Sequence, residues 1–170
     1  MKNFILGGIA AVALLGLGGL AFALLGLINT DADRTPGKAE TWLATNAMDA
    51  SMQRHAAHNN NPVPATDANL IDGLKVYTMA CAECHGGLDK KPALFGKQLY
   101  PPAPQLILDP IDDPEWRTFY AIKHGVRNTG MPAWNRAFSD EDIWKVTAFL
   151  SRIEKLPPAV QEHWTKSLNP

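Results

Sequence analysis

The chain has 170 residues, 46% of them hydrophobic, and a formal net charge of −1. That length suits one soluble domain with appendages, and the balanced charge excludes the basic surface that a nucleic-acid binder needs. The apolar content is uneven, because Lys2 is the only charged residue before Asp31.

Phe4 to Ile28 is an uncharged, largely apolar run. As a helix rising about 1.5 Å per residue, it exceeds the roughly 30 Å hydrocarbon core of a bilayer. Apolar regions of cleaved signals span about 7–15 residues and end in a small-x-small site, and Leu27-Ile28-Asn29-Thr30 is a poor match. Residues 1–29 are therefore expected to be a retained signal-anchor transmembrane helix. Lys2 and the start amine precede the run, and Asp31 and Asp33 follow it. The positive-inside tendency then leaves the N-terminus in the cytoplasm and residues 30–170 outside. Gly7/Ala11 and Gly19/Ala23 are small pairs spaced for close helix–helix approach, although glycine is common in membrane helices generally.

Thr35-Pro36 reads as an N-cap followed by proline at the first helical position. It predicts a helix to about His58, with Trp42, Leu43, Ala47 and Met48 apolar. Asn59-Asn60-Asn61-Pro62-Val63-Pro64 breaks it as an extended spacer. Residues 30–64 form a stalk or docking element. His55 and His58 read as an exposed pair near a helix end.

Residues 65–156 carry the chemistry. A helix is predicted from Thr66 or Asp67, with Leu70, Leu74, Tyr77 and Cys81 at helical spacing. Gly73 interrupts it at a cost of about 1 kcal/mol against Ala, which suggests close approach of another backbone. The helix leads into Cys81-Ala82-Glu83-Cys84-His85, whose cysteines are the only two in the chain. Cysteines three apart lie about one turn apart and face the same way, as two thioether bonds to one porphyrin require. The adjacent His85 can bring an imidazole under the iron. A thioredoxin-like pair needs a strand before the motif, and a structural zinc site needs a second ligand pair. Neither is present, so the motif reads as covalent haem attachment.

Downstream, Asp113-Pro114 starts a short helix carrying Trp116, Phe119, Tyr120 and Ile122, and Gly125 ends it. Ser139-x-x-Asp142 is a near capping box. It opens a helix with Ile143, Val146, Phe149, Leu150 and Ile153 as its stripe. Arg152 and Lys155 complement the C-terminal end, and Pro157-Pro158 terminate it. Residues 86–112 and 126–138 read as loop, rich in proline, and residues 157–170 as a C-terminal tail.

Met131 is the strongest candidate for a second axial ligand of the iron. It lies in Asn128-Thr129-Gly130-Met131-Pro132-Ala133-Trp134, where Gly130 frees the backbone to turn and Pro132 stiffens the other side. A His/Met pair raises the reduction potential. His124 reads as a capping or surface histidine, and His163 lies towards the tail. Met79 sits too close to Cys81 to reach across the haem.

Over residues 65–156 the chain resembles the class I c-type cytochromes, in a bacterial membrane-anchored monohaem form. Gly73-x-x-x-Tyr77-x-x-x-Cys81 is similar to the family's N-terminal helix, where the glycine and aromatic cross the C-terminal helix. Val146 and Phe149 occupy the matching positions there. Gly130-Met131-Pro132-Ala133-Trp134 resembles the distal loop with its methionine ligand. The resemblance implies an all-α class I cytochrome c fold, with few helices and long loops around one haem c. It also implies a proline carbonyl that accepts from the proximal histidine. Tyr100-Pro101-Pro102 is the best match for that proline.

The expected function is electron transfer. With Cys81, Cys84, His85 and Met131 binding haem, and His85 and Met131 on the iron, no position is open for a small-molecule substrate. The chain is then a carrier and not an enzyme itself. It would work between membrane redox complexes, respiratory or photosynthetic, at the periplasmic or outer face of a bacterial inner membrane. Lys90, Lys91, Lys97, Arg127 and Arg136 would steer docking. Two other readings are a fixed haem subunit of a larger respiratory or photosynthetic assembly, and a ligand-binding or catalytic haem subunit with an open distal site.

Overall fold

A computed structural model describes residues 1–168; Asn169 and Pro170, the end of the expected tail, lie outside the described residues. Among the described residues the protein is all-α. Residues Met1–Asp31 and Ala32–Pro170 are separate compact units.

The first unit contains α1 (Lys2–Leu24), 23 residues long with no buried side chain. At 1.5 Å per residue it spans about 34 Å. It is long and apolar enough to cross a membrane.

The second unit opens with α2 (Lys38–His55). The helix begins two residues later than Thr35-Pro36 implies. Gly37 is the N-cap, and the Glu40 carboxylate accepts from its backbone N–H at 3.4 Å. Having no side chain, Gly37 supplies only half of a capping box. The helix ends at His55 because Ala56 turns to an extended conformation. The His58 ring stacks on Trp116, centroids 4.1 Å apart. Met52 is the buried residue of α2, and Arg117 pairs with Asp49.

Next come α3 (Asp67–Ala80) and the one-turn α4 (Ala82–His85). The Thr66 hydroxyl caps α3 by accepting from Asn69 N–H. A second one-turn helix, α5 (Leu94–Lys97), lies in the proline-rich loop. It is followed by α6 (Glu115–His124), capped by Pro114 itself rather than Asp113, and by α7 (Asp140–Leu150). The Ser139/Asp142 capping box is formed in both directions.

The core is the crossing of α3 over α7. A methyl group at Gly73 would overlap the Lys145 carbonyl and meet Phe149 Cβ at 3.0 Å. The absent side chain is what lets the two backbones touch. Around this point Leu70, Leu74, Tyr77, Ile143, Val146 and Phe149 are all at most 1% exposed. The Tyr77 and Phe149 rings pack at a tilt of 50°, centroids 5.7 Å apart. Lys145 reaches back to Asp72 at 3.4 Å across the crossing.

The end of α7 differs from expectation. The helix stops at Leu150, and Ile153–Lys155 form a single 3-10 turn. Pro157-Pro158 do not terminate a helix; Pro158 starts α8 (Pro158–Leu168). Proline has no N–H to lose at a first helical position, so it opens helices as readily as it ends them. Val160 is fully buried, and the Trp164 ring lies 6.1 Å from Phe149 and donates to the Leu88 carbonyl at 2.9 Å. Arg152 still bonds the Ala148 carbonyl of the last α7 turn, at 3.1 Å, but it also pairs with Glu115 on α6 at 2.5 Å.

Glu115 also accepts from Ser151 Oγ and Asn61 Nδ2, both at 2.7 Å. One carboxylate thus ties the spacer, α6 and the end of α7. Burial pushes the pKa of Glu115 up, but the bonds from Arg152, Ser151 and Asn61 outweigh it and leave it below the usual range. A depressed carboxyl stabilises the fold above its unfolded pKa, and that contribution is lost as pH falls through the folded value. Two outcomes follow. Gly73→Ala gains about 1 kcal/mol of helix propensity but forces apart two backbones, an overpacking cost of about 1–3 kcal/mol; denaturant unfolding of the haem-loaded protein should show a lowered midpoint. Glu115→Gln should flatten the fall in stability below about pH 4.5, the ordinary glutamate value, and an acid-unfolding curve identical to wild type would remove this role for Glu115.

Candidate haem site

Cys81 is the hinge between α3 and α4. Its N–H donates to Tyr77 O at 2.8 Å and closes α3, and its carbonyl receives the N–H groups of Cys84 (3.1 Å) and His85 (2.9 Å). The motif is therefore its own helical turn, which puts both sulfurs on one side. Tyr77 holds this turn from behind: its hydroxyl donates to Gly86 O at 2.7 Å and to His85 O at 3.2 Å. The ring that packs the helix crossing thus also fixes the end of the motif.

Cys81 is buried and Cys84 half-buried. Burial, helped by the neighbouring Cys84, pushes the Cys81 thiol up to about 12. His85 Nδ1 lies 2.8 Å from the Pro104 carbonyl. An Nδ1–H donor fits that contact and leaves Nε2 as the free nitrogen of the ring. Burial pushes the His85 pKa down, and the Pro104 carbonyl opposes it with a smaller effect. The net effect favours the neutral ring, the form that binds a metal. The proline is thus Pro104 and not Pro101 or Pro102. It belongs to the same proline-rich run, but the chain must pass Tyr100-Pro101-Pro102 before it comes back under the imidazole.

Sequence reasoning missed Gly96 and Gln105, which build the wall beside the motif. A methyl group at Gly96 would overlap the Cys84 carbonyl, so α5 lies directly on the attachment turn. Gln105 clasps the loop. Its Nε2 donates to Cys84 O at 3.0 Å and Ala103 O at 2.9 Å, and its Oε1 accepts from Ala93 N–H at 2.7 Å. A glycine five residues before a run of prolines was the available sign.

Met131 is half-buried and packs on the same apolar core as Cys81. Its loop is stitched to the end of α6. Val126 N–H donates to Met131 O at 3.1 Å, and Trp134 and Asn135 N–H donate to Ile122 O and Lys123 O, both at 3.2 Å. Those two carbonyls belong to the last turn of α6, which has no helical partners of its own to offer them. Gly125 does more than end α6. At φ 67° it occupies the left-handed region, and a methyl there would meet Met131 O at 2.7 Å and Pro132 C at 2.6 Å. Thr129, unremarked in the sequence, clips the loop: its hydroxyl donates to Val126 O at 2.7 Å and accepts from Met131 N–H at 3.0 Å. Gly130 sits at a bend, but not in the left-handed conformation that would require a glycine. Asn128 takes the left-handed conformation at φ 60°, and the space above Gly130 is filled by Leu99, whose Cδ1 would be 2.6 Å from an added methyl.

The remaining candidates stand apart. His124 is exposed beside Tyr120, ring centroids 4.5 Å apart, and Met79 is 72% exposed. His163 is half-buried on α8. No cluster of three or more His, Cys, Asp or Glu side chains suited to a metal ion occurs among the described residues.

Residues 68–150 match the family described as cytochrome c oxidase, cbb3-type, subunit III. This part of the chain is a class I c-type cytochrome domain. Comparison with curated proteins and with solved structures found no match. A c-type cytochrome domain makes the protein an electron-carrying haem protein, and the residues present fit the group. Two cysteines lie on one helical turn, and beside them is a histidine whose outer nitrogen is already held by a carbonyl. The contact of Gly96 with Cys84 gives a direct test. Gly96→Ala should displace the attachment turn and lower the haem content per chain several-fold, read from the absorbance of the alkaline pyridine complex; full haem content would remove this role for Gly96.

Proposed function

We propose that Cys81 and Cys84 hold one haem through thioether bonds, with His85 and Met131 as the axial ligands. The cytochrome would pass single electrons between membrane redox complexes at the outer face of a bacterial inner membrane. The observation that carries this reading is the 2.8 Å contact of His85 Nδ1 with Pro104 O, made on the same turn that displays both cysteines. That bond fixes the ring and raises its basicity as a ligand.

When bound, haem supplies an iron centre that takes up or releases one electron. The chain does the rest. Pro104 and Tyr77 hold the proximal turn still. Thr129 and the end of α6 hold the Met131 backbone, so the soft thioether is presented on a fixed loop, and a His/Met pair raises the potential relative to harder ligands. With both axial positions filled, the protein does no substrate chemistry of its own.

The length and apolar character of α1 support a single-pass anchor, and Lys2 with the start amine on its N-terminal flank would leave the second unit on the periplasmic side by the positive-inside tendency. Confinement to the membrane raises the local concentration of its partners. The matched family is described as a subunit of a cbb3-type cytochrome c oxidase, which favours a respiratory oxidase or a similar complex as the partner. Lys90, Lys97, Arg127 and Arg136 are exposed and form no ion pair among the described residues, while Lys91 pairs with Asp89 at 3.4 Å. These cations suit an acidic docking surface.

Absorbance tests the ligand set. The oxidised wild-type protein should show a weak methionine–iron charge-transfer band at the red edge of the visible spectrum. Met131→Ala should lose that band and lower the midpoint potential. A high-spin wild-type spectrum would instead indicate an open distal site. Haem that stays with the chain through denaturing electrophoresis in wild type, but is lost from the Cys81→Ala/Cys84→Ala variant, would establish covalent attachment.

A further inference from the structure

We propose that Trp42 and Leu43 form a contact with the lipid surface that fixes the tilt of the haem-bearing unit over the membrane. This deepens the anchor reading above and rests on it.

The chain has five tryptophans. Four of them pack on a ring partner. Trp116 stacks on His58, Trp144 on Phe119 at 3.9 Å, Trp134 lies 5.6 Å from Phe138, and Trp164 lies 6.1 Å from Phe149. Trp42 does not: it is 67% exposed, and its neighbour Leu43 is 62% exposed. A tryptophan is highly buried on average, and one left out beside a leucine is an apolar step with nothing on it. An indole has an apolar body and a single N–H donor, which suits the headgroup level of a bilayer.

The occupant is argued from the connection. The apolar run ends at Ile28, and α2 begins at Lys38. The residues between, 29–37, contain no helix. A flexible connection of that length has a mean span of about 17 Å. The first turns of α2 are thus kept near the point where an anchored chain leaves the bilayer. Two side chains would not hold a free protein on a membrane, but at such an effective concentration a weak contact is populated. Arg34 and Lys38 favour anionic headgroups, while Asp31 and Asp33 oppose them, so the contact is mainly aromatic and apolar. Glu40 is engaged by Tyr100, whose hydroxyl donates to it at 2.5 Å.

The contact would carry orientation because α2 does not swing freely. Met52 is buried, Asp49 pairs with Arg117, and Glu40 accepts from Tyr100 in the loop that leads to Pro104. Whatever the first turns of α2 rest on therefore sets the tilt of the whole unit.

The test uses the full-length, haem-loaded protein in aligned bilayers of phosphatidylethanolamine and phosphatidylglycerol, with no other protein present. Linear dichroism of the haem bands reads the tilt of the haem plane. Wild type should give a dichroic signal, and Trp42→Ser/Leu43→Ser should lose most of it with the haem spectrum and incorporation unchanged. Dichroism that is unchanged in the double variant, or absent from wild type retained in the bilayer, overturns the lipid contact; in the latter case a protein partner is the occupant. Release of the wild-type chain by alkaline carbonate would instead remove the anchor reading, and the lipid contact with it.

Discussion

The structure depends on two backbones meeting where one residue has no side chain. Gly73 lets α3 lie on the Lys145 carbonyl of α7. Once that distance is set, Tyr77 has only one place to go: its ring fills the crossing against Phe149, and its hydroxyl lands on the carbonyls at the end of the haem motif. The packing of the core and the position of the cysteines are thus one constraint. The helix α8 adds to it, because Trp164 touches Phe149 with its ring and Leu88, three residues past His85, with its N–H.

The two sides of the site are built in different ways. The proximal side is held by side chains acting on carbonyls: His85 on Pro104, Gln105 on Cys84, and Tyr77 on Gly86. The methionine side is held mainly by backbone bonds to the open end of α6, with Thr129 as a clip. Glycines serve both sides as places where chain crosses chain: Gly96 against Cys84, and Gly125 against Met131 and Pro132. In each case a single methyl group would separate segments that must touch for the site to exist.

Much of this was legible from residue order because the signals were local. Ser139 and Asp142 form their box within one turn, Gly125 ends α6, and a glycine in an apolar helix marked the crossing at position 73. The misreadings came where one residue type serves two purposes. Prolines 157 and 158 read as a stop, but Pro158 is a start. Gly130 read as the residue that frees the backbone to turn, but Asn128 takes the left-handed conformation, and Gly130, at the bend that follows, makes room for Leu99. Thr35-Pro36 read as a helix start, but Gly37 took that place with help from Glu40. Pro104 could not be told from Pro101 and Pro102, because the choice depends on how far the loop travels before it returns to His85. No local pattern records that distance.

The burial of Cys81 has a consequence for how the protein is made. In the folded unit only 9% of this residue is exposed, and it sits among core side chains drawn from both crossing helices. The contact between Asp72 and Lys145 that accompanies the crossing joins residues 73 positions apart, so it closes late on a chain growing from its N-terminus. If Cys81 carries haem as proposed, its side chain is easier to reach before α7 has closed over α3 than after. Attachment then competes with the closing of the core. A variant that folds faster could be better folded and yet carry less haem.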